Sequence, residues 1–193
     1  MHGVVTFRQG QQIFLEGSSL TSVYRIRKGL VKINRIHHSG DEKIFDILGP
    51  DDYIALLAVL QGKNEYVASA IALTEVTVTQ MSTSDVLQAY QSNNIFQATC
   101  LQCAVTRSTM FQDKLFHTTN IDIEEKILAT LQLLAKKFGT IEKGSVLLKL
   151  PFTKTVLASI VGIRRETLSR KLSDMQHKNI IQVDKNIYKF DRL

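Results

Sequence analysis

The sequence predicts an α+β fold in three parts: an N-terminal antiparallel β-barrel of the jelly-roll type, a long helix, and a C-terminal winged helix-turn-helix. Three observations predict it. From Val4 to about Gln80 the chain is a series of short β-rich runs broken by glycines at 10, 17, 29, 40, 49 and 62. From Ser84 to about His117 the apolar residues switch to helical spacing and fall on more than one face. Near the C-terminus a short apolar helix closes on Gly162, and a second, two-faced helix follows it.

The barrel strands are read at Ser22–Ile26, Leu30–Ile36, Glu42–Leu48 and Glu75–Met81, with Ser39-Gly40-Asp41 as a hairpin tip. Asn93-Asn94 marks a turn before the long helix. Along that helix Leu101, Ala104, Phe111 and Leu115 form one apolar stripe, and Phe96, Cys100, Cys103 and Met110 form another. A helix apolar on two sides must bury both. One side covers its own barrel, and the other calls for a second chain, so this is read as a dimerisation helix whose seam draws on Phe96, Cys100, Leu101, Cys103, Val105, Met110 and Phe111. Thr118-Thr119-Asn120 reads as a hinge, and Asp122 with Glu125 as a capping box opening a helix to about Phe138. The expected domains are residues 1–92, 93–120 and 121–193.

The C-terminal motif runs from Thr153 to Arg170. Val156, Leu157, Ile160 and Val161 turn inward, Gly162 permits the positive φ of the turn, and Ala158 is small enough for two helices to approach. Leu168, Leu172 and Met175 then lie at i, i+4 and i+7, leaving Arg165, Glu166, Ser169 and Arg170 on the outer face. Ile180–Val183 and Ile187–Phe190 around Asp184-Lys185-Asn186 read as a wing. Charge agrees with this placement. The net formal charge is +6, and residues 151–193 hold nine basic against four acidic residues. A basic end on a near-neutral body suits a polyanion such as double-stranded DNA.

These residues carry a resemblance. Ile160-Val161-Gly162 followed by Arg165-Glu166-Thr167-Leu168-Ser169-Arg170, and Val23-Tyr24-Arg25-Ile26-Arg27-Lys28-Gly29 in the barrel, are similar to the CRP/FNR family of bacterial transcription regulators. The resemblance covers nearly the whole chain and implies a cyclic-nucleotide-binding-like barrel, a homodimer and a palindromic DNA site. It implies base contacts from Arg165, Glu166, Ser169 and Arg170, with Arg164, Thr153, Lys154 and Thr167 completing the DNA-binding set. RNA polymerase is a further partner that the family implies, although Gly139–Ser145 has no legible signature for it. The chain departs from the family pattern in lacking a helix before the first strand, in Lys171 at an apolar position of the second helix, and in Arg164 where a capping Ser or Thr is common.

The sequence offers no enzyme: it has no nucleophile triad and no phosphate-cradling glycine loop. His37-His38 cannot share a metal, because adjacent strand residues face opposite sides. Two cysteines cannot supply the four ligands of an iron–sulfur cluster within one chain. Cys100 and Cys103 read as small side chains at the dimer seam, with a redox pair as the alternative. Cyclic AMP is not expected either. Set against the family's nucleotide pocket, Ala55 replaces the glycine, Leu56 the ribose-binding glutamate, Tyr66 the phosphate-binding arginine and Val67 the neighbouring serine. Met110 and Phe111 fall where a Thr-Ser pair would meet the adenine. No cofactor or metal is therefore expected, and the effector is left open. With two cysteines, no secretory signal and no apolar membrane span, the expected compartment is the cytoplasm. The competing functional reading is a ligand- or redox-sensing module whose winged helix contacts proteins.

Overall fold

The computed structural model describes residues 3–37, 42–116, 122–142 and 144–191. The chain divides into two compact units, residues 1–112 and 113–193.

The first unit is built from eight strands: β1 (Gly3–Phe7), β2 (Gln12–Phe14), β3 (Ser22–Lys28), β4 (Val31–Ile36), β5 (Glu42–Leu48), β6 (Tyr53–Ile54), β7 (Ser69–Ala72) and β8 (Val76–Ser82). They form two antiparallel four-stranded sheets, ordered β1-β8-β3-β6 and β2-β7-β4-β5. Val23, Ile26, Val76 and Val78 from one sheet meet Val31, Leu48, Ala70 and Ala72 from the other in one buried core. The four strands read from sequence all form, Glu42–Leu48 with the bounds expected and the other three with ends shifted by one or two residues. The Ser39-Gly40-Asp41 tip lies outside the described residues, although Ile36 pairs with Glu42 on either side of it. Gly29 shows why the Lys-Gly turn needs glycine. Its φ is 90°, and a Cβ there would lie 2.2 Å from the carbonyl oxygen of Glu75.

Helix α1 (Leu56–Leu60) is short, and Ala55 before it holds a left-handed backbone with φ 67°. Helices α2 (Thr83–Ser92) and α3 (Asn94–Phe116) meet at Asn93. Its N–H donates to Ala89 at 2.9 Å, while its side-chain oxygen accepts from the N–H groups of Ile95 and Phe96 at 2.9 and 3.0 Å. Asn93 thus closes α2 through its backbone N–H and caps α3 through its side chain.

The structure sorts the two stripes of α3. Phe96, Cys100 and Cys103 pack against the barrel core, Phe96 with its ring edge toward Tyr53 at 6.2 Å. Arg107 continues that face and donates to the backbone oxygen of Tyr53. Cys100 is only 2% exposed, so its expected place at a seam between chains is corrected: it belongs to the core of its own barrel. Burial there also pushes its thiol pKa up, away from the reactive thiolate. Leu101, Val105, Phe111 and Leu115 stand exposed along the same helix.

The second unit holds α4 (Ile123–Phe138), β9 (Gly139–Glu142), β10 (Ser145–Lys149), α5 (Lys154–Val161), α6 (Arg165–His177), β11 (Ile181–Asp184) and β12 (Ile187–Asp191). The expected hinge at Thr118–Asn120 lies outside the described residues. Asp122 caps α4 by accepting from the Glu124 N–H at 3.2 Å. Ile127, Leu131 and Leu134 are the buried ridge of α4. The strands make one antiparallel sheet, β11-β12-β10-β9. Within Gly139–Ser145, which carries no legible signature for RNA polymerase, β9 pairs antiparallel with β10.

Candidate nucleic-acid interface

The helix-turn-helix forms as its pattern requires. Thr153 caps α5, its hydroxyl accepting from the Val156 N–H at 3.4 Å. Leu157, Ala158 and Val161 are buried, whereas Val156 and Ile160 are only partly so. Gly162 closes the helix with φ 78° and ψ 39°. The N–H groups of Gly162 and Ile163 both donate to the Ala158 carbonyl, at 2.8 and 3.0 Å, which satisfies the orphan end of α5.

Arg164 is extended at the start of α6 and makes no side-chain cap, in keeping with the missing Ser or Thr. Leu168, Leu172 and Met175 are each at most 1% exposed and seat the helix. Burying three such side chains contributes roughly 1.5–3 kcal/mol each. With that face fixed inward, Arg164, Arg165, Glu166, Ser169 and Arg170 are exposed on the outer side, with Thr153 exposed before α5. Thr167 and Lys154 are half-buried. Among the described residues no ion pair ties up Arg164, Arg165, Glu166 or Arg170, so their hydrogen-bonding groups remain available. Glu166 also lies in the first turn of α6, where the helix dipole favours a negative charge. The wing is β11 and β12, joined through Lys185 at φ 52°.

One cluster was not legible in the sequence. Glu124 of α4 accepts from Lys171 at 3.1 Å and from Lys178 at 2.7 Å, both on or at the end of α6. Lys171 at an apolar position was the signal: a cation on an inward face calls for a carboxylate partner. Nothing local pointed to Glu124, which lies 47 positions away.

In the barrel, the residues set against the nucleotide pocket are filled or turned away. Leu56 is fully buried and Tyr66 is 4% exposed. The Tyr66 ring stacks on Phe14 with centroids 3.7 Å apart. Its hydroxyl donates to the Ser22 carbonyl at 2.9 Å and accepts from the Ser22 N–H at 3.3 Å. Burial, then the neighbouring Tyr24, pushes its pKa up to about 12, so it stays neutral. Val67 is exposed, and Arg25 is paired with Asp51 at 2.8 Å. Among the described residues no group of three His, Cys, Asp or Glu side chains could hold a metal ion. No helix of these residues is long and apolar enough to cross a membrane.

Comparison with known proteins agrees with both units. Residues 4–93 match the cyclic nucleotide-binding domain family, and residues 125–192 match the Crp-like helix-turn-helix domain family. The chain is 26% identical over 186 residues to the global nitrogen regulator of Nostoc sp., covering 94% of this chain and 82% of that one. It is 28% identical over 181 residues to the CRP-like cAMP-activated global transcriptional regulator of Mycobacterium tuberculosis, covering 93% and 80%. The fold resembles FixK2 from Bradyrhizobium japonicum, with a TM-score of 0.84 at 16% identity over 100% of this chain and 93% of that one. With both domain families in the expected order over the two units, the chain belongs to the CRP/FNR family of transcription regulators, proteins that control genes and are not enzymes.

Proposed function

We propose that this regulator binds double-stranded DNA sequence-specifically as a homodimer, in the cytoplasm, without control by cyclic AMP. The observation that carries the DNA reading is the outer face of α6. It presents Arg165, Glu166, Ser169 and Arg170 to solvent on a helix whose other side is locked by Leu168, Leu172 and Met175. Arginine donates two hydrogen bonds to guanine, and glutamate accepts from cytosine. Arg164, Thr153, Lys154 and Thr167 flank these groups and suit phosphate or sugar contacts. A protein-binding surface would carry apolar anchors. None of the exposed large apolar residues lies on α6, which disfavours the alternative in which the winged helix contacts proteins.

The dimer reading rests on Leu101, Val105, Phe111 and Leu115, which are exposed along α3, and on half-buried Met110. Apolar surface of that extent is costly to leave in water. A two-fold dimer reads an inverted repeat, here of a half-site near TGTGA or TTGA. On this reading residues 1–92 are the sensor barrel, 93–120 the dimer helix and hinge, and 121–193 the DNA reader, with RNA polymerase as the next partner.

Independence from cyclic AMP is supported by Tyr66 and Leu56. A nucleotide phosphate placed among them would meet a neutral phenol and an alkyl chain instead of a cation, and an unpaired buried charge is costly. Calorimetric titration with cyclic AMP should give no saturable heat at millimolar nucleotide; micromolar binding overturns this part. The DNA reading is tested by selecting duplexes from a random pool and comparing Arg170→Ala with the wild type. The variant should lose about 1–3 kcal/mol on the selected site and relax preference at one base pair. Equal losses on selected and random duplexes would reduce Arg170 to a phosphate contact.

A further inference from the structure

The second unit holds a charge cluster that the helix-turn-helix pattern does not account for. Glu124, in the first turn of α4, has a side chain only 14% exposed, and it accepts hydrogen bonds from two lysines one above the other on α6. Lys171, 25% exposed, lies three residues after Leu168 and four before Met175, so it shares the inward face of the helix. Lys178 is the C-cap residue of α6 and is 56% exposed. Glu124 stands near the N-terminal end of its helix and Lys178 at the C-terminal end of the other, so both charges are placed favourably by the helix dipoles. Hydrogen bonds from Lys178 and Lys171 hold the Glu124 carboxyl below the usual carboxylate range, and the same contact raises Lys178.

The apolar stripe of α6 fixes which side faces inward, but apolar contact is non-directional and tolerates small rolls and slides. A carboxylate bonded at two points seven residues apart restrains both. Base reading is sensitive to such movement, because a site must be held to within about 0.5 Å, whereas phosphate contact with long side chains is tolerant. We propose that Glu124 is a positioning residue for DNA reading: by clamping Lys171 and Lys178 it sets where Arg165, Glu166 and Arg170 of α6 meet the base edges. This rests on the reading of α6 as the DNA-reading helix.

The test compares the full-length wild type and Glu124→Gln on the selected duplex and on a scrambled one, across a range of salt. The expected result is a fall of about tenfold in the ratio of selected to scrambled affinity, the scale of one misread base pair, with the salt slope unchanged. A ratio within about twofold of wild type overturns the proposal, since general folding damage weakens both duplexes alike. A rise in both affinities with a steeper salt slope also overturns it, because Glu124 would then only withhold lysines from phosphates. Should Glu124→Gln fail to fold, Lys178→Gln removes one arm at an exposed position. It should lower the ratio by about threefold, and an unchanged ratio again overturns the proposal. A wild type that does not discriminate between the duplexes refutes the reading of α6 and this proposal with it. A wild type that discriminates beside variants that do so equally refutes this proposal alone.

Discussion

Replacing Gly162 by alanine tests the turn between α5 and α6 with little else disturbed. The residue sits at φ 78° and ψ 39°, inside the left-handed region. An L-residue with a Cβ costs about 1–2 kcal/mol there. A Cβ built on Gly162 meets only the Lys126 Nζ, at 3.8 Å, which is ordinary contact with the end of a flexible side chain. No steric term therefore adds to the conformational one. Alanine also restricts the unfolded chain, which offsets about 0.4–1 kcal/mol. The net loss should be about 1 kcal/mol, and Gly162→Asn should lose less, because asparagine tolerates this conformation. Urea unfolding followed by far-ultraviolet circular dichroism measures the loss. Hydrogen exchange at the α5 amides assigns it to the second unit, since a chain of two units need not unfold in one step. A loss above about 3 kcal/mol, or none at all, would refute the reasoning, the first by requiring a clash and the second by removing the left-handed turn. Gly29→Ala is the contrast. Its Cβ would stand 2.2 Å from a backbone oxygen, so its loss should be clearly the larger of the two.

Ala55→Gly runs the same physics in reverse. Ala55 holds φ 67°, and relieving it should stabilise the first unit by up to about 1 kcal/mol in thermal unfolding; a destabilised variant would contradict the strain. Leu101→Glu changes a side chain that is 66% exposed in the single chain, so the fold should survive while the dimer, by burying an unpaired charge, dissociates; an unchanged sedimentation coefficient at micromolar protein would speak against the α3 seam. The Glu124 cluster has a definite pH sign. A carboxyl lowered in the folded state stabilises above its ordinary value, and that stabilisation is lost as pH falls through the lowered one. Lys178, raised in the folded state, keeps its contribution until pH rises through its raised value. The unfolding curves of wild type and Glu124→Gln should therefore differ near neutrality and converge in acid, and curves that stay parallel would show the carboxylate to be uncoupled from folding.

Much of the fold was written in local pattern. Glycine at 29 and 162 marks backbone that side chains resist, and both positions are left-handed. The spacing of Leu168, Leu172 and Met175 alone assigns the inner face of α6, and hence the outer one that carries Arg165, Glu166, Ser169 and Arg170. The β9–β10 hairpin escaped because β9, Gly139-Thr140-Ile141-Glu142, carries a single large apolar residue, so no alternation marks it as a strand. Periodicity also says that a face is buried but not by what. Both stripes of α3 looked alike in sequence, and only packing assigned Cys100 to its own barrel and left Leu101 outside. Tyr66 was a missing arginine until Phe14 and the Ser22 backbone gave it a place. Lys171 was an irregularity until folding brought Glu124 to it. A helix or strand face is a property of neighbours in the chain, whereas the partner that satisfies a buried charge or covers an apolar stripe comes from distant segments, and only the tertiary structure brings those together.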